Sequence, residues 1–312
     1  MARIVAAVGG NALGNTPAGQ RVRAAYTAKA LADLIEEGNE VLITHGNGPQ
    51  VGMINLGLAH SAADKVIEAE MPFPECGAMS QGYIGYHLQN ALLKELKSRG
   101  IERSVVTLVT QVCVDENDPA FKNPTKPVGA FYSEEEARAA MEADSSVTFR
   151  EDAGRGWRRV VPSPIPTAVV ERDSIIKLIE SGTVVISCGG GGIPVICRGD
   201  GDYEGVAAVI DKDFASECLA ETVEADALYI LTAVDRVCVN FNKAGQRELS
   251  SMTTAEAEKY IAEGQFAPGS MLPKVEAAVK FASSKKGRQA VICSLEKASL
   301  ALKGKSGTAV RG

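Results

Sequence analysis

Ile4 to Asn11 read IVAAVGGN, a short apolar run followed at once by two glycines. The same order, an apolar run and then a glycine-rich turn, returns at Glu40 to Gly48 (EVLITHGNG) and at Val184 to Gly192 (VVISCGGGG). Nearly all-apolar strands are typical of a sheet that is covered on both faces. Ligands of open α/β sheets bind beyond the carboxyl ends of the strands, where glycine lets backbone N–H groups approach an anion. We therefore expect the three glycine turns to share one site.

Six apolar runs are predicted as strands, and they are Ile4–Val8, Glu40–Thr44, Ser104–Val109, Val184–Ser187, Leu228–Thr232 and Ala290–Cys293. Helical patterns lie between them. Apolar residues recur every four positions at Val22, Tyr26, Ala30 and Leu34, and a similar helical pattern spans Val275 to Ala282. Strands that alternate with helices predict an α/β fold with a mainly parallel sheet.

The segment from about Asn117 to Pro166 breaks this alternation. It is rich in proline and holds one short helical pattern, Ser133 to Ala143, in which Ser133 and Glu136 have capping-box spacing. We expect a small subdomain here that leaves the sheet and moves as a lid.

Composition narrows the class of protein. At 312 residues the chain is within reach of one large domain or two halves, and its 45% apolar and 23% charged residues are ordinary for a globular protein. The formal net charge of -6 gives no basic field for nucleic acid, so no nucleic-acid partner is expected. Apolar runs stay well below the roughly 18 residues that a membrane helix needs, and the first run ends too early for a secretory signal, so we expect a cytoplasmic protein.

Cysteine and histidine do not point to a metal centre. The seven cysteines include no C-x-x-C pair, and the three histidines form no H-E-x-x-H motif. We therefore expect neither structural zinc nor disulfides, and predict that all the cysteines are reduced and mostly buried. The dinucleotide motif G-x-G-x-x-G and the P-loop are absent too, which disfavours a dinucleotide oxidoreductase and a P-loop enzyme.

Three lysines occupy unusual positions. Pro273 suits the first position of a helix, which places Lys274 in the first turn, and Lys212 lies just before a predicted helix. A cation there opposes the helix dipole at a cost of about 0.3–1 kcal/mol, unless an anion binds beside it. Lys126 stands in NPTKP, on a backbone stiffened by two prolines. Surface exposure and anion binding both remain open for each of the three.

Asp211 and Asp213 flank Lys212. One of them would cap the predicted helix, and the other would hold the lysines or a metal ion.

Taken together, these segments resemble the carbamate kinases of the amino-acid-kinase superfamily along nearly the whole chain. The matching motifs are GGNAL (Gly9–Leu13), THGNGPQVG (Thr44–Gly52), CGAMSQGYIGY (Cys76–Tyr86), NPTKPVG (Asn123–Gly129), EDAGRGWRRVVPSPIP (Glu151–Pro166), CGGGGIPV (Cys188–Val195), VIDKDFAS (Val209–Ser216), LTAVDRV (Leu231–Val237) and GQFAPGSMLPKVEAA (Gly264–Ala278). The resemblance implies a three-layer α/β/α sandwich and a homodimer. Residues about 1–180 would form the carbamate side and residues about 181–312 the nucleotide side, with 117–166 as the protruding subdomain.

The resemblance also implies a role for individual residues. The catalytic residues would be Lys126, Lys212 and Lys274, with Asp211 orienting the lysines. The residues around carbamate and the transferred phosphoryl group would be Gly9, Gly10, Asn11, Gly46, Asn47, Gly48, Gly190 and Gly191. The residues that bind the nucleotide would be Lys212, Thr232, Ala233, Val234, Asp235, Met271 and Lys274. Many superfamily members carry a lysine where this chain has Ala7, and Lys126 is the implied substitute.

The implied reaction is the reversible conversion of carbamoyl phosphate and ADP into ATP and carbamate, in arginine breakdown that generates ATP. Mg²⁺ would accompany the nucleotide and be held mainly by its phosphates, with no protein side chain as ligand. Phosphoryl transfer needs positioning and charge stabilisation, and carbamate already carries its charge, so no general base is required. His45 is accordingly expected to have a structural rather than a catalytic role. Two alternatives stay open, namely a related kinase acting on acetylglutamate, aspartate or a nucleoside monophosphate, and a non-catalytic ligand sensor.

Overall fold

The computed structural model describes residues 2–9, 14, 16–145, 147–152, 154–199 and 201–312. Within these residues, an eight-stranded sheet forms the centre of the molecule. Its strands, given from one edge to the other, are β15 (Ser251–Thr253), β17 (Thr308–Arg311), β16 (Gln289–Ser294), β12 (Ala227–Thr232), β1 (Arg3–Val8), β2 (Glu40–His45), β9 (Val184–Ile186) and β3 (Val105–Thr107). All neighbours pair in parallel except β16 and β17, which are antiparallel.

The described residues form α-helices, most of which cover the two faces of this sheet. They are α1 (Pro17–Glu36), α2 (Gly48–Ala63), α3 (Phe73–Ser98), α4 (Glu134–Ala143), α5 (Arg172–Glu180), α6 (Lys212–Thr222), α7 (Thr254–Ala262), α8 (Met271–Ser284) and α9 (Ala298–Leu302). Successive side chains of β1 point to opposite faces of the sheet, so the core has two parts. Val5 and Ala7 pack with α5, α6, α7 and α8 on one face, while Ile4 and Val8 pack with α1, α3 and α9 on the other. The predicted α/β/α sandwich with a mainly parallel sheet is confirmed.

The six strands predicted from apolar runs all lie in the central sheet, with ends shifted by one or two residues. The predicted apolar face of α1 is wrong in its first two turns, where Val22 and Tyr26 are exposed, although Leu34 of the same period is fully buried. Smaller side chains one or two positions away, such as Ala24 and Ala28, are fully buried instead, together with Leu31. Helix α1 lies close to its neighbours, and alanine allows that approach where valine and tyrosine would not fit.

Two further sheets lie beside the central one. The first contains β11 (Tyr203–Gly205), β10 (Ile193–Cys197), β4 (Gln111–Val114) and β8 (Pro166–Val169), and the second contains β5 (Lys126–Tyr132), β7 (Trp157–Val161) and β6 (Thr148–Glu151). A hairpin of β13 (Val237–Val239) and β14 (Arg247–Leu249) completes the strands.

The β5–β7–β6 sheet and α4 make up a small subdomain within the predicted excursion at 117–166, and its protrusion from the rest of the molecule stays a prediction. Ser133 and Glu136 make the predicted capping box at the start of α4. The subdomain packs against α2, where a Cβ on Gly52 would lie 3.0 Å from the backbone nitrogen of Gly129. Its motion as a lid stays a prediction.

One expectation about the cysteines is wrong. Cys113 of β4 and Cys197 of β10 are joined by a disulfide, with their Cα atoms 5.9 Å apart. The two residues are far apart in sequence, and only the parallel pairing of β4 with β10 brings them together. The remaining cysteines are free, and among these Cys238 alone is partly exposed rather than buried.

None of the helices in the described part of the chain combines the length and the apolar character needed to cross a membrane.

Candidate active site

The carboxyl ends of the central parallel strands meet at one edge of the sheet. Val8 is in register with His45 of β2 on one side and with Leu231 of β12 on the other, and Thr232 is in register with Ser294 of β16. Backbone hydrogen bonds continue past the strands, since Gly9 N donates to Leu231 O at 3.0 Å and Gly46 N donates to Val8 O at 3.2 Å. The first two glycine turns are therefore adjacent, as parallel strands require.

The third glycine turn lies against the second. Gly190 has a φ of +68°, and a Cβ there would overlap the side chain of Asn47. Asn47 stands at the start of α2 but does not cap it; its Nδ2 instead donates to Ser80 Oγ at 2.8 Å. Gly190 is thus required both by its backbone conformation and by the close approach of Asn47.

Lys212 and Lys274 converge on one carboxylate. Lys212 is the first residue of α6, and its ammonium group pairs with Asp213 Oδ1. Lys274 lies in the first turn of α8 and donates to Asp213 Oδ2 at 3.0 Å. Helix α8 begins at Met271, two residues before the predicted start at Pro273, but Lys274 keeps its place near the helix N-terminus. Both cations therefore lie at positive helix ends, where only an anion makes them favourable.

Asp211 has a different partner. It caps α6 by accepting a hydrogen bond from Asp213 N at 2.9 Å, and its other oxygen accepts from Lys126 Nζ at 2.6 Å. Lys126 begins β5, so this contact joins the small subdomain to the edge of the central sheet. Asp211 thus orients Lys126, whereas Asp213 contacts the other two lysines.

Asp213 is the carboxylate that holds Lys212 and Lys274, a role that the sequence left open between Asp211 and Asp213 and that the resemblance assigned to Asp211. Its side chain is only 2% exposed. Burial works to raise the pKa of Asp213, but the charges of Lys212 and Lys274 and their hydrogen bonds outweigh burial and hold the pKa below its ordinary value. A carboxylate at the second position of a helix, beside an N-terminal lysine, was the available signal. It did not distinguish Asp213 from Asp211, because a helix cap needs the same residue type.

A cavity of about 420 Å³ opens beside these lysines. Its lining includes Gly9, Lys212, Thr232, Ala233, Asp235 and Lys274 among the predicted site residues. It also includes Arg23 and Tyr26 of α1, Ser294 at the end of β16 and Glu296 just after it, which were not predicted. Val234, Met271 and Lys126 are outside this lining, as are the glycine turns after β2 and β9. Gly10 and Asn11 lie outside the described residues.

Asp235 is fixed at the nucleotide side of the predicted site. It accepts a hydrogen bond from Ser294 Oγ at 2.7 Å and pairs with Lys297. The hydrogen bonds from Lys297 and Ser294 lower the pKa of Asp235. The carboxylate therefore connects the loop after β12 to the loop after β16.

His45 is buried beneath the glycine turns. Its Nδ1 lies 2.9 Å from Gly46 O, and burial lowers the pKa of His45 to about 4. The ring is therefore neutral near pH 7, which fits the expected structural role.

Comparison with known proteins identifies the family. The model of the "Amino acid kinase family" matches residues 2–294. A carbamate kinase of Clostridium perfringens is 56% identical over 99% of both chains, and one of Staphylococcus haemolyticus is 54% identical over 100% of both. A solved structure of Giardia lamblia carbamate kinase bound to AMP-PNP is 43% identical, superposes with a TM-score of 0.92, and matches over 99% of this chain and 98% of that one. The predicted resemblance is confirmed, and the chain belongs to the amino acid kinase family, in the group of the carbamate kinases.

Proposed function

We propose that this protein is a carbamate kinase that transfers a phosphoryl group between carbamoyl phosphate and ADP, giving ATP and carbamate. The observation that carries the proposal is the pair of lysines, Lys212 and Lys274, held by one carboxylate at the carboxyl edge of the sheet. Whole-length identity above 50% to two carbamate kinases supports the substrate. The reaction would serve ATP-generating arginine breakdown.

The chemistry follows from charge. An oxygen of the ADP β-phosphate attacks phosphorus while the bond from phosphorus to the carbamate oxygen breaks, and both partners are anions. Lys212 and Lys274 would neutralise the phosphates, and Lys126 would add positive charge from the small subdomain. Because carbamate leaves as an anion, no acid has to protonate it, and the neutral, buried His45 needs no catalytic role.

Backbone amides would supply the rest of the site. The turns at Gly9–Asn11, at Gly46–Gly48 and around Gly190 and Gly191 would surround carbamate and the transferred phosphoryl group. Helix α2 begins at Gly48, and the N–H of Gly48 would meet the anion, since Pro49 carries no N–H and Gln50 N donates to Asn47 O at 2.9 Å. The loop from Thr232 through Val234 to Asp235, together with Met271 at the start of α8, would contact the nucleotide.

Mg²⁺ would be held mainly by the phosphates of ATP or ADP. The described residues contain no group of three or more side chains suited to a metal ion. Asp211 and Asp213 already pair with lysine ammonium groups, which makes them poor first ligands. When bound, the ion would neutralise phosphate charge.

We also propose that the protein is a homodimer that works in the cytoplasm, and that residues 117–166 move over the site during turnover. Met79, Tyr86 and Leu93 support the dimer, since they are exposed at seven-residue spacing on α3. The contact between Lys126 and Asp211 supports the motion, because a bound phosphate would replace the carboxylate as the partner of Lys126.

One assay tests the main proposal. Purified protein is mixed with ADP, Mg²⁺ and carbamoyl phosphate, and ATP is measured. Formation of ATP is expected. Turnover with acetylglutamate or aspartate and ATP instead would favour a related kinase, and nucleotide binding without turnover would favour a sensor.

A further inference from the structure

Glu217 of α6 is a buried carboxylate that the proposed reaction does not use. Its side chain is 0% exposed, and its Oε2 accepts a hydrogen bond from Lys280 Nζ of α8 at 2.7 Å. Lys280 reaches it from a position that is 47% exposed. The pair therefore ties α6 to α8 from inside the molecule.

The position of this pair relative to the lysines is the decisive feature. Glu217 follows Asp213 by four residues, one helical turn, so the two carboxylates lie on the same face of α6. Asp213 accepts from Lys274 of α8, as Glu217 accepts from Lys280. Two lysine–carboxylate pairs therefore join α6 to α8. The Asp213–Lys274 pair lies at the proposed active site, and the Glu217–Lys280 pair lies further along the same helices.

We propose that Glu217 and Lys280 are positioning residues, which fix the separation of α6 from α8 and so hold Lys212 and Lys274 together at Asp213. The inference rests on the proposed function, since it concerns the lysines that would stabilise the transferred phosphoryl group. Neither Glu217 nor Lys280 contacts substrate in this assignment. Both act through the spacing of the helices that carry the lysines.

The ionisation of Glu217 should make kcat depend on pH, and this dependence can be measured. Burial, and a hydrogen bond shared with Glu221, raise the pKa of Glu217 to about 8 against the opposing effect of Lys280. Glu221 and Cys218 are the other titratable groups that face it from α6, Lys280 faces it from α8, and strand β8 packed beside α6 carries no charged residue. We expect kcat to rise as the pH passes about 8, because the ionised carboxylate holds Lys280 more tightly.

The same proton affects stability in the opposite direction. The folded protein holds it more tightly than the unfolded chain, in which a glutamate has its ordinary pKa of 4.5. The free energy of unfolding therefore receives a contribution that falls as the pH rises from 4.5 to about 8.

The first test removes the bridge with Lys280→Met. We expect kcat for ATP formation to fall roughly 10-fold with less change in KM, since small misplacements of catalytic groups act mainly on the transition state. Lys280→Arg should restore most of the rate. Lys285→Met is the matched control: Lys285 pairs with Glu224 at the same 2.7 Å, also between the ends of these helices, but both side chains are more than 60% exposed.

A second readout does not depend on turnover. Amide hydrogen exchange in the first turn of α8 should be faster in Lys280→Met than in Lys285→Met, even if the assay with carbamoyl phosphate fails and the proposed function is lost. Equal exchange in the two variants, or a kcat of Lys280→Met within twofold of that of Lys285→Met, would overturn the inference.

Glu217→Gln decides the matter if Lys280→Met does not fold, because it keeps the size and a hydrogen bond while removing the titration. The rise of kcat near pH 8 should disappear, and the fall of stability between pH 4.5 and about 8 should become shallower. A purely structural role would leave the shape of the rate profile unchanged. A variant whose profiles of kcat and stability both superpose on those of the wild type refutes the assignment.

Discussion

The single carboxylate of Asp213 serves two ammonium groups, and this makes each lysine individually testable. Lys212→Ala and Lys274→Ala should each lower kcat at least ~100-fold, by comparison with the loss of one preorganised charge-stabilising donor. Each variant should also lose some stability, because the buried carboxylate of Asp213 keeps only one of its two ammonium partners. Steady-state ATP formation and thermal unfolding measure the two effects separately.

The control for these variants is Lys259→Ala, which removes an exposed lysine paired with Glu263 within α7. Its kcat should equal that of the wild type. Near-normal kcat in both Lys212→Ala and Lys274→Ala would reject the assignment of charge stabilisation to these residues.

The three lysines of the site could be predicted from the sequence, but the carboxylate that pairs with each of them could not. Lys212 and Lys274 stand out because a cation at a helix N-terminus is locally unfavourable, and the start of each helix can be predicted from the sequence. The partner of each lysine depends on how α6 meets α8 and on how β5 folds back towards the sheet. Both depend on tertiary packing, so the sequence could not show which lysines Asp211 and Asp213 each contact.

At the scale of elements, the turn after β9 offers a clean substitution. Gly190→Ala should destabilise the protein by the cost of a left-handed alanine, about 1–2 kcal/mol, and by a further ~1–3 kcal/mol for overlap with Asn47. Gly100→Ala is the matched control, since its φ of +71° is nearly that of Gly190 at +68° but its Cβ would meet nothing within 4 Å. Urea unfolding gives the difference.

If Gly190→Ala and Gly100→Ala are equally destabilised, the close approach of Asn47 to the turn has no energetic importance. We expect Gly190→Ala also to weaken binding of carbamoyl phosphate, because Asn47 has to leave Ser80 to make room. Gly100→Ala should bind it normally.

The disulfide joins two elements of the smaller sheet, β4 and β10. Its cysteines are 84 residues apart, and closing a long loop typically stabilises a fold by about 2–4 kcal/mol. Reduction with dithiothreitol should therefore lower the urea midpoint. A double variant, Cys113→Ser with Cys197→Ser, should not respond to the reductant, and an unchanged midpoint in the wild type would contradict the prediction.

The strands of the central sheet could be predicted wherever burial on both faces requires an almost wholly apolar sequence. The six apolar runs are strands because both faces of the sheet are covered. Strand β17 was missed since Thr308–Arg311 is short and mixed in character, and its place depends on antiparallel pairing with β16. The buried face of α1 was misassigned because small residues, rather than the most apolar ones, fit the tight helix contact.

At the scale of the whole molecule, the proposed dimer predicts a mass near twice 32.8 kDa. Multi-angle light scattering after gel filtration measures it. Tyr86→Glu would place a charge in the exposed apolar stripe of α3 and should shift the protein towards the monomer, whereas Tyr203→Glu changes an exposed tyrosine away from that stripe. A monomeric wild type, or a dimer unaffected by Tyr86→Glu, would exclude this surface as the interface.

Three ammonium groups, those of Lys126, Lys212 and Lys274, pair with the two carboxylates of Asp211 and Asp213. This cluster therefore carries a surplus of positive charge on a molecule whose formal charge is -6. Such a local field guides anions towards the cleft while the remaining surface repels them. Dissolved salt screens the attraction over about 10 Å at 0.1 M, so encounters with ADP should become slower as ionic strength increases.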